Sequence, residues 1–407
     1  MKGRAYMLSY KNNQLFVDSV PVSILANKTD TPFYLYSKNK LSEKYNEINN
    51  AFSKVNHIIC YATKANENVY LLKILAKKGC GCDIVSIGEL NLALKAGINP
   101  KKIVFAGVGK RDDEIKLAIK SGILMFNIES IPELYRIDKI AKALNKIARI
   151  AFRVNPDIDA KTHPHITTGL SHNKFGLCFD EAFDGYILAK SLKNIEIAGI
   201  HTHIGSQITD IDSFILASKK MSSYISKLKS AGIKLKYIDM GGGLGIKYKD
   251  EKVINPVDYA DAILKYLPGN YTIILEPGRF LVAETGVLIT KVIYVKKTAK
   301  KNFLVVDAGM NDLVRPAIYG AYHEIIPVKW KNGKKHNWDV VGPICESSDV
   351  FAKDRSMPLA SEGDYLAILC AGAYGYSMSS NYNMRPRPAE IIVEDNKYKV
   401  IRDKEKL

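Results

Sequence analysis

The stretch His57-Ile58-Ile59-Cys60-Tyr61-Ala62-Thr63-Lys64-Ala65-Asn66 decides how the chain is interpreted. Its first half is a short apolar run, which predicts a buried strand. Lys64 follows, and a lysine just past a buried strand is well placed to hold an aldehyde cofactor as a Schiff base. The alternative is a surface lysine whose stem packs on apolar neighbours while its ammonium stays in water. Motifs elsewhere in the chain are needed to distinguish a Schiff-base lysine from a surface lysine.

Apolar runs of the same kind recur between amphipathic helical patterns over the first three quarters of the chain. We count eight, at residues 57–62, 82–86, 103–107, 124–128, 149–155, 197–204, 237–241 and 273–276. They are continuous rather than alternating, as expected for strands covered on both faces. Strand alternating with helix in this way predicts an α/β fold, a (β/α)8 TIM-like barrel. The rival is a doubly wound sheet, but its early G-x-G-x-x-G between a strand and a helix does not occur here.

After about Leu281 the pattern changes to strand-like runs without helices between them. These runs lie at 287–296, 303–307, 338–341, 365–369 and 390–394. They predict a second, all-β domain, a β-sandwich or β-barrel. Pro32 makes the following Phe33-Tyr34-Leu35-Tyr36 extended rather than helical, so we expect the N-terminal segment to join that domain. The expected division is a barrel over 38–281 and a β domain made of 1–37 and 282–407.

Composition limits the partners. Lys and Arg number 59 against 42 Asp and Glu, a net charge of +17. The basic residues are scattered over predicted helices rather than interleaved with aromatic residues, so we expect no nucleic-acid partner but a lysine-rich surface and an anionic small substrate. The six cysteines are too sparse for a disulfide framework. Residues 1–20 lack an apolar signal segment and no stretch approaches a membrane span, so we expect a cytoplasmic protein with no membrane partner.

Polar and glycine residues gather where the predicted strands end, which is where barrels of this type carry their chemistry. Lys64 follows the first strand, and Asp83 and Ser86 lie in the second. The sixth, seventh and eighth strands end in His201–Gln207 (HTHIGSQ), Gly241–Gly245 (GGGLG) and Glu276–Arg279 (EPGR).

Each of these segments suits pyridoxal phosphate. The backbone N–H groups of Gly241, Gly242 and Gly243 can close around a phosphate because no Cβ intrudes, and Ser206 can add a hydroxyl. Glu276 can bond the pyridine nitrogen and keep the ring an electron sink, or it can form a buried salt bridge with Arg279. His203 is a flat ring that can stack on a flat cofactor.

The His201-Thr202-His203 segment also allows a different interpretation. An H-x-H pair inside a barrel can bind zinc, as in a metal-dependent hydrolase. Such a site needs further His or Asp ligands at other strand ends, and the sequence offers no convincing set. Cys80-Gly81-Cys82 has no second pair at a ligand spacing either. We therefore expect no metal. The longest gap between strands holds residues 161–176, a candidate active-site loop.

Several motifs occur in a fixed order over nearly the whole chain. They are Tyr61–Asn66 (YATKAN), His203–Gln207 (HIGSQ), Gly241–Gly243, Glu276–Phe280 (EPGRF) and Gly342–Asp349 (GPICESSD), with the segments 153–176 and 307–323. Together they resemble the group IV decarboxylases, pyridoxal phosphate enzymes of the alanine racemase fold, and among these the diaminopimelate decarboxylases. One departure is Ile87, where many members have glycine.

The resemblance implies a role for each residue of the site. It implies that Lys64 is the Schiff-base lysine, that His203 stacks on the ring and that Cys345 is the proton donor. Contacts to the cofactor are implied for Ser206, Gly243, Glu276, Pro277, Gly278, Arg279 and Tyr374. Contacts to the substrate are implied for Arg279, Arg315, Tyr319, Glu346 and Tyr374. In the family the Cys-Glu segment reaches the partner subunit's site, so a homodimer with shared active sites is expected.

The expected substrate is meso-diaminopimelate, which loses carbon dioxide to give L-lysine. This molecule carries an amino acid at each end, and two arginines, a tyrosine and a glutamate suit the distal zwitterion. A decarboxylase for ornithine or lysine binds only an amine there, so Arg315 is surplus in that case. A polyamine-pathway decarboxylase for carboxynorspermidine, ornithine or lysine remains the alternative within the class, and Arg315 in a simple loop salt bridge is the alternative for that residue.

Overall fold

The structure is a computed structural model that describes residues 7–159 and 174–406. The candidate loop residues 161–173, with His163 and His165, therefore lie outside the described residues. The chain forms two compact units. One consists of Tyr45–Ile246 and Lys252–Phe280, and we call it the barrel unit. The other consists of Met1–Lys44, Lys247–Glu251 and Leu281–Leu407, and we call it the β unit. The predicted limits 38–281 for a barrel domain stay a prediction.

The N-terminal segment is mostly strand. Its elements are β1 (Leu8–Lys11), β2 (Gln14–Val17), β3 (Val20–Pro21), the short helix α1 (Val22–Ala26) and β4 (Phe33–Ser37).

The following segment alternates helix and strand. Its elements are α2 (Lys38–Ala51), β5 (His57–Ala62), α3 (Val69–Lys77), β6 (Gly81–Ile84), α4 (Ile87–Lys95), β7 (Ile103–Phe105), α5 (Asp112–Ser121), β8 (Met125–Ile128), α6 (Ile131–Ala143), β9 (Ala148–Arg153), α7 (Phe179–Ala189), β10 (Ile195–His201), α8 (Ile211–Ser230), β11 (Tyr237–Asp239), α9 (Pro256–Leu264), β12 (Thr272–Leu275) and α10 (Arg279–Val282).

Strands β5 to β12 close into a parallel barrel in the order β10-β11-β12-β5-β6-β7-β8-β9. The predicted (β/α)8 barrel is thereby confirmed, strand for strand. Several strands end two or three residues earlier than predicted: the run 197–204 stops at His201 and the run 103–107 stops at Phe105. The residues beyond these ends are mostly buried all the same, so their apolar character reflects packing rather than strand pairing.

The helices begin and end where local chemistry allows. Ser86 and Ser130 accept hydrogen bonds from the backbone N–H groups of Glu89 and Glu133 and so cap α4 and α6. Helix α5 ends at Gly122, whose φ of 69° is left-handed and favours glycine. Across the part of the chain that the structure describes, no helix combines the length and hydropathy needed to span a bilayer.

The C-terminal segment is mostly strand. Its elements are β13 (Gly286–Lys297), β14 (Asn302–Val306), the short helix α11 (Arg315–Tyr319), β15 (Ile325–Pro327), β16 (Lys335–Val341), β17 (Val350–Pro358), β18 (Tyr365–Ile368), β19 (Ala389–Glu394) and β20 (Lys397–Arg402).

Within the β unit, the described residues form a three-stranded sheet and a nine-stranded sheet. Strand β4 pairs antiparallel with β13 and parallel with β19, which confirms that the N-terminal segment joins the all-β domain. Its core is the apolar set that includes Phe33, Leu35, Val287 and Ile391. The strands β17 and β20 were not predicted, because their polar and apolar residues form no continuous apolar run.

Candidate active site

Lys64 lies in a turn of 3₁₀ helix that directly follows β5. The Tyr61 hydroxyl donates to the Asn66 carbonyl at 2.9 Å across this turn, and the Ala62 N–H donates to the Pro277 carbonyl. The Lys64 Nζ donates to Oδ2 of Asp83 at 2.7 Å. The Asp83 side chain is fully buried, whereas the Lys64 side chain is 42% exposed. The ammonium is therefore held at the open end of the barrel by a carboxylate at the end of β6.

Glu276 follows β12 and lies in a buried polar cluster. Its Oε2 lies 3.2 Å from Nε2 of His201, and its Oε1 accepts from Nδ2 of Asn127 at 3.2 Å. The same Asn127 amide donates to Asp239 at 3.2 Å, and the N–H of Gly241 donates to the other Asp239 oxygen at 3.0 Å. All four cluster side chains come from different strands or strand ends and are buried. Glu276 is thus held in place from two sides.

The carboxyl groups of this cluster differ in protonation. Burial alone raises the pKa of Glu276, but the charge of and hydrogen bond to His201, together with the charge of Lys64, lower it to about 2. Burial and the neighbouring Glu276 raise the pKa of Asp239 well above its ordinary value. Burial and Glu276 also raise the pKa of Asp83, to about 6, although Lys64 opposes the shift. Two carboxyl groups this close do not both ionise, so Glu276 carries the negative charge and Asp239 keeps a proton.

His203 lies two residues beyond the end of β10, and its ring is oriented by the glycine loop. The N–H of Gly242 donates to Nδ1 of His203 at 3.2 Å, which places any single ring proton on Nε2. Burial and the positive charges of Arg153 and Lys64 hold the pKa of His203 well below its ordinary value. The ring is therefore a neutral, oriented imidazole, and Gly242 has a role in orienting it that the sequence did not predict.

The glycine loop leaves no room for side chains. A Cβ on Gly241 comes within 2.6 Å of the Thr202 carbonyl, and a Cβ on Gly242 within 2.3 Å of the Glu276 carbonyl. Gly243 has a φ of 107°, and a Cβ there comes within 2.7 Å of the Gly205 carbonyl. Backbone segments from the ends of β10, β11 and β12 are thus packed as closely as only glycine permits.

Arg279 and Ser206 meet beside this loop. The Arg279 guanidinium donates to the Ser206 hydroxyl, at 3.1 Å from one nitrogen and 3.4 Å from another. Gly278, between Pro277 and Arg279, packs against Ala62 and Ala65, where a Cβ is already 3.1 Å from each methyl. The sequence-predicted residues Lys64, His203, Ser206, Gly241 to Gly243 and Glu276 to Arg279 are therefore all brought together at one end of the barrel.

A buried ion-pair network, which the sequence did not predict, lies at the ends of the neighbouring strands. Arg153 NH1 donates to Glu129 at 3.0 Å, and its guanidinium stacks over Phe175 at 4.6 Å. The other Glu129 oxygen accepts the N–H of Gly176 at 3.0 Å. The signal in the sequence was a pair of charged residues at the ends of apolar runs. This network fixes residues 175–176, which end the candidate loop segment, against β8 and β9.

In the β unit, Arg315 begins α11 and is buried. Its NH1 donates to Nε2 of His323 at 2.8 Å, and its guanidinium lies over the ring of Tyr248 at 4.6 Å. Nδ1 of His323 lies 2.7 Å from the Leu369 carbonyl oxygen. Tyr319 is four residues after Arg315 in the same helix and is half-buried, so the two share one helix face.

Cys345 and Glu346 lie on an exposed loop between β16 and β17. The Cys345 N–H donates to Asn383 Oδ1 at 3.2 Å, and the Tyr382 hydroxyl donates to Glu346 at 2.7 Å. The buried Asp349 carboxylate stabilises this loop, because it accepts hydrogen bonds from the backbone N–H groups of Ile344 and Met310, each at 2.7 Å. The Cys345 thiol and the Glu346 carboxylate therefore lie at the surface of the β unit, on a loop that several hydrogen bonds hold in place.

Tyr374 is half-buried in a turn and has a φ of 55°, an uncommon backbone conformation for a non-glycine residue. Strain of this kind is maintained only where the surroundings determine it and is frequent at functional sites. Arg315, Tyr319, Cys345, Glu346 and Tyr374 all belong to the β unit, whereas the other predicted site residues belong to the barrel unit.

The H-x-H pair is split by the strand end, with His201 in β10 and His203 beyond it. His201, Asp239 and Glu276 nevertheless present atoms of metal-ligand type within 4.8 Å of one another. The expectation of no metal stays a prediction, and the sequence overlooked Asp239 and Asn127, although both interrupt otherwise apolar strands.

The barrel site fits a polar, flat ligand. Among the described residues, the buried atoms Oδ1 of Asp83, Nδ1 of His201 and Oγ1 of Thr202 have no hydrogen-bond partner. Buried polar atoms are normally hydrogen-bonded, so these three can accept or donate hydrogen bonds to a bound ligand or to water. Within the glycine loop the N–H groups of Gly241 and Gly242 already donate to Asp239 and His203, which leaves the Gly243 amide as the candidate donor to a phosphate. A lysine amine, an ionised carboxylate and a neutral histidine ring then match the aldehyde, the ring nitrogen and the face of a pyridoxal-type group.

Comparison with known proteins agrees with this site. Residues 38–283 match the family described as pyridoxal-dependent decarboxylase, pyridoxal binding domain, the class of enzyme that a (β/α)8 barrel with these side chains defines. The chain is 52% identical to a diaminopimelate decarboxylase from Aquifex aeolicus over 98% of its own length and 95% of that protein.

Solved structures agree as well. A crystal structure of diaminopimelate decarboxylase from Helicobacter pylori complexed with L-lysine has a TM-score of 0.92 at 47% identity and covers 95% of this chain and 97% of that chain. A crystal structure of diaminopimelate decarboxylase from M. jannaschii has a TM-score of 0.95 at 41% identity and covers 99% of this chain and 96% of that chain. The chain belongs to the diaminopimelate decarboxylase family, and the resemblance carried by its motifs is confirmed.

Proposed function

We propose that this protein uses pyridoxal 5'-phosphate to decarboxylate meso-diaminopimelate, giving L-lysine and carbon dioxide. The observation that carries the proposal is the ionised Glu276, which is hydrogen-bonded to both His201 and Asn127 and lies at the same end of the barrel as Lys64. Family membership supports the choice of substrate.

The cofactor's contribution, when bound, is to act as an electron sink for the carbanion that remains after carbon dioxide leaves. Lys64 holds its aldehyde, and Asp83 keeps the lysine amine in place. Glu276 keeps a proton on the pyridine nitrogen, because a carboxylate with a pKa of about 2 stays charged beside it. His203 would cover one ring face. Ser206, Arg279, Tyr374 and the loop of Gly241, Gly242 and Gly243, in which the Gly243 amide is not engaged by Asp239 or His203, would hold the remaining polar groups.

The β unit supplies the groups that recognise the substrate. Arg315 and Arg279 bind carboxylate, Glu346 binds the distal ammonium, and Tyr319 and Tyr374 complete the set. Cys345 delivers the proton to the substrate Cα after decarboxylation, since a thiol can hold and give up a proton near neutral pH. The exposed position of Cys345 and Glu346 supports a homodimer in which this loop serves the partner subunit's site. A cytoplasmic location is part of the same proposal.

The direct test is to incubate the purified protein with pyridoxal 5'-phosphate and meso-diaminopimelate and to assay L-lysine and carbon dioxide. We expect both products in equal amounts, and poor turnover of lysine and ornithine. A protein that binds the cofactor but decarboxylates ornithine efficiently would overturn the substrate assignment and favour the polyamine-pathway alternative.

The shared site has its own test. Inactive Lys64→Ala protein is mixed with inactive Cys345→Ala protein under conditions of subunit exchange. A mixed dimer contains one site with both residues intact, so activity should return to at most about a quarter of wild type for random symmetric pairing. Both variants must first be shown to fold and dimerise. Exchange without recovery means that each site is built from one chain.

A further inference from the structure

Arg315 is held by two side chains to which the sequence analysis gave no role, His323 and Tyr248. All three belong to the β unit and are buried there. An arginine has several rotatable bonds, and its guanidinium can bind a carboxylate through two parallel hydrogen bonds only when the plane of the fork is correctly turned. Whatever fixes this plane therefore contributes to the selection of the substrate.

The hydrogen bonds determine the tautomer of His323. The Leu369 carbonyl, 2.7 Å from Nδ1, can only accept, so Nδ1 carries the ring proton. Nε2 then offers a lone pair to Arg315 NH1 at 2.8 Å. A carboxylate at this position would also orient the guanidinium, but it would neutralise its charge. A neutral imidazole orients Arg315 and contributes no negative charge of its own.

Tyr248 fixes the remaining freedom of the guanidinium. Its ring lies 4.6 Å from Cζ of Arg315, a distance at which the ring face attracts the cation. The same ring meets His323 edge to face, with ring centroids 5.4 Å apart and the planes at 75°. Each of the three side chains thus contacts the other two. This mutual contact defines both the position and the plane of the guanidinium before any substrate binds.

We infer that His323 and Tyr248 are positioning residues that hold Arg315 in the orientation needed to bind the distal carboxylate of the substrate. This inference rests on the proposed function, because it concerns recognition of diaminopimelate. It predicts that both residues act through Arg315 and affect substrate binding more than the chemical step, since the Cα that reacts lies at the other end of the substrate.

The first test replaces His323 by leucine, which fills space but accepts no hydrogen bond. We expect KM for meso-diaminopimelate to rise about ten-fold or more, with kcat changed far less. His323→Gln should recover much of the loss, because an amide can donate to Leu369 and accept from Arg315. The matched control is His336→Leu, a histidine of the same unit whose ring contacts Trp338. Cofactor absorbance should be unchanged in all variants.

A double-mutant cycle sharpens the test. If His323 acts through Arg315, the double variant His323→Leu with Arg315→Ala should be no worse than Arg315→Ala alone. Independent, additive losses would overturn the inference, and so would an unchanged KM in folded His323→Leu protein. Should that variant fail to fold, Tyr248→Leu gives the same readout, with Tyr248→Phe as its conservative partner. Wild-type protein with no turnover of meso-diaminopimelate would overturn the proposed function itself, and the inference with it.

Discussion

The two units present their polar groups in different ways. In the barrel unit, Glu276, His201 and Asp239 are buried and bonded to one another or to a shared partner before any ligand binds. In the β unit, Arg315 is equally buried and held, but Cys345 and Glu346 lie exposed on a loop. Groups that set protonation are thus built into the strand ends of the barrel, whereas the thiol of Cys345 lies on the surface of the β unit. The burial of one set and the exposure of the other give the two units different sensitivities to substitution.

The largest expected effect comes from the barrel side. Lys64→Ala should lower kcat/KM by about a thousand-fold or more, because no other amine replaces the one held by Asp83. Borohydride reduction of wild-type protein should attach the cofactor to one peptide, the one that contains Lys64. Lys73→Ala, a change to an exposed lysine of α3, is the control. Full activity in Lys64→Ala would break the assignment of the barrel site.

The next effect lies on the β side. Arg315→Ala should leave the distal carboxylate without a charged partner, and a loss of about 2–5 kcal/mol lowers kcat/KM about thirty-fold or more. Steady-state kinetics on meso-diaminopimelate measures this, and cofactor binding should be preserved. The control is Arg149→Ala, which removes an exposed pair with Glu196. Unchanged kinetics would mean that Arg315 has only a structural role.

The third prediction concerns pH and the buried carboxyl group of Asp312, three residues before Arg315 in the sequence. Burial raises the pKa of Asp312 to about 7, although the Gly309 N–H that it accepts lowers it. In the unfolded chain this pKa is about 3.9. The folded state therefore binds the proton more tightly, so the stabilisation is complete below about pH 4 and is lost as pH rises through about 7, by up to about 4 kcal/mol.

Urea unfolding at pH 5, 6 and 7 measures this effect in wild type and Asp312→Asn. The free energy of unfolding of wild type should fall with rising pH relative to that of the variant. Asp113→Asn is the control, because Arg111 lowers the pKa of this exposed group and it stays ionised over the whole range. Parallel pH profiles for wild type and Asp312→Asn would contradict the predicted role of burial.

The smallest effect should come from the glycine loop. A methyl group on Gly242 meets the Glu276 carbonyl oxygen at 2.3 Å, so Gly242→Ala should destabilise the barrel unit by about 1–3 kcal/mol and weaken cofactor binding. Urea unfolding and cofactor titration measure the two effects. Gly109→Ala is the matched control, since a Cβ there meets nothing within 4 Å. Equal behaviour of the two variants would show that the loop tolerates a side chain.

The sequence by itself determined the barrel, the β domain and the candidate residues. Continuous apolar runs separated by helical patterns determine a parallel sheet covered on both faces, and each run from 57–62 to 273–276 became a strand of the barrel. Lys64, the glycines and Glu276 to Arg279 were found because each lies at the end of such a run or just beyond it. This information is local, since it needs only the residues of one segment. Strand β17 was not predicted from the sequence, because its buried and exposed residues do not alternate regularly and form no continuous apolar run.

Only the tertiary structure decided how these residues act on one another. Glu276 is ionised and Asp239 protonated because strands distant in sequence place His201, Asn127 and both carboxyl groups in one buried cluster. Lys64 is paired with Asp83, and Arg315 is oriented by His323 and Tyr248, through contacts of the same kind. A pKa or the plane of a guanidinium depends on burial and on charges within a few ångströms. Those distances exist only once the chain has folded.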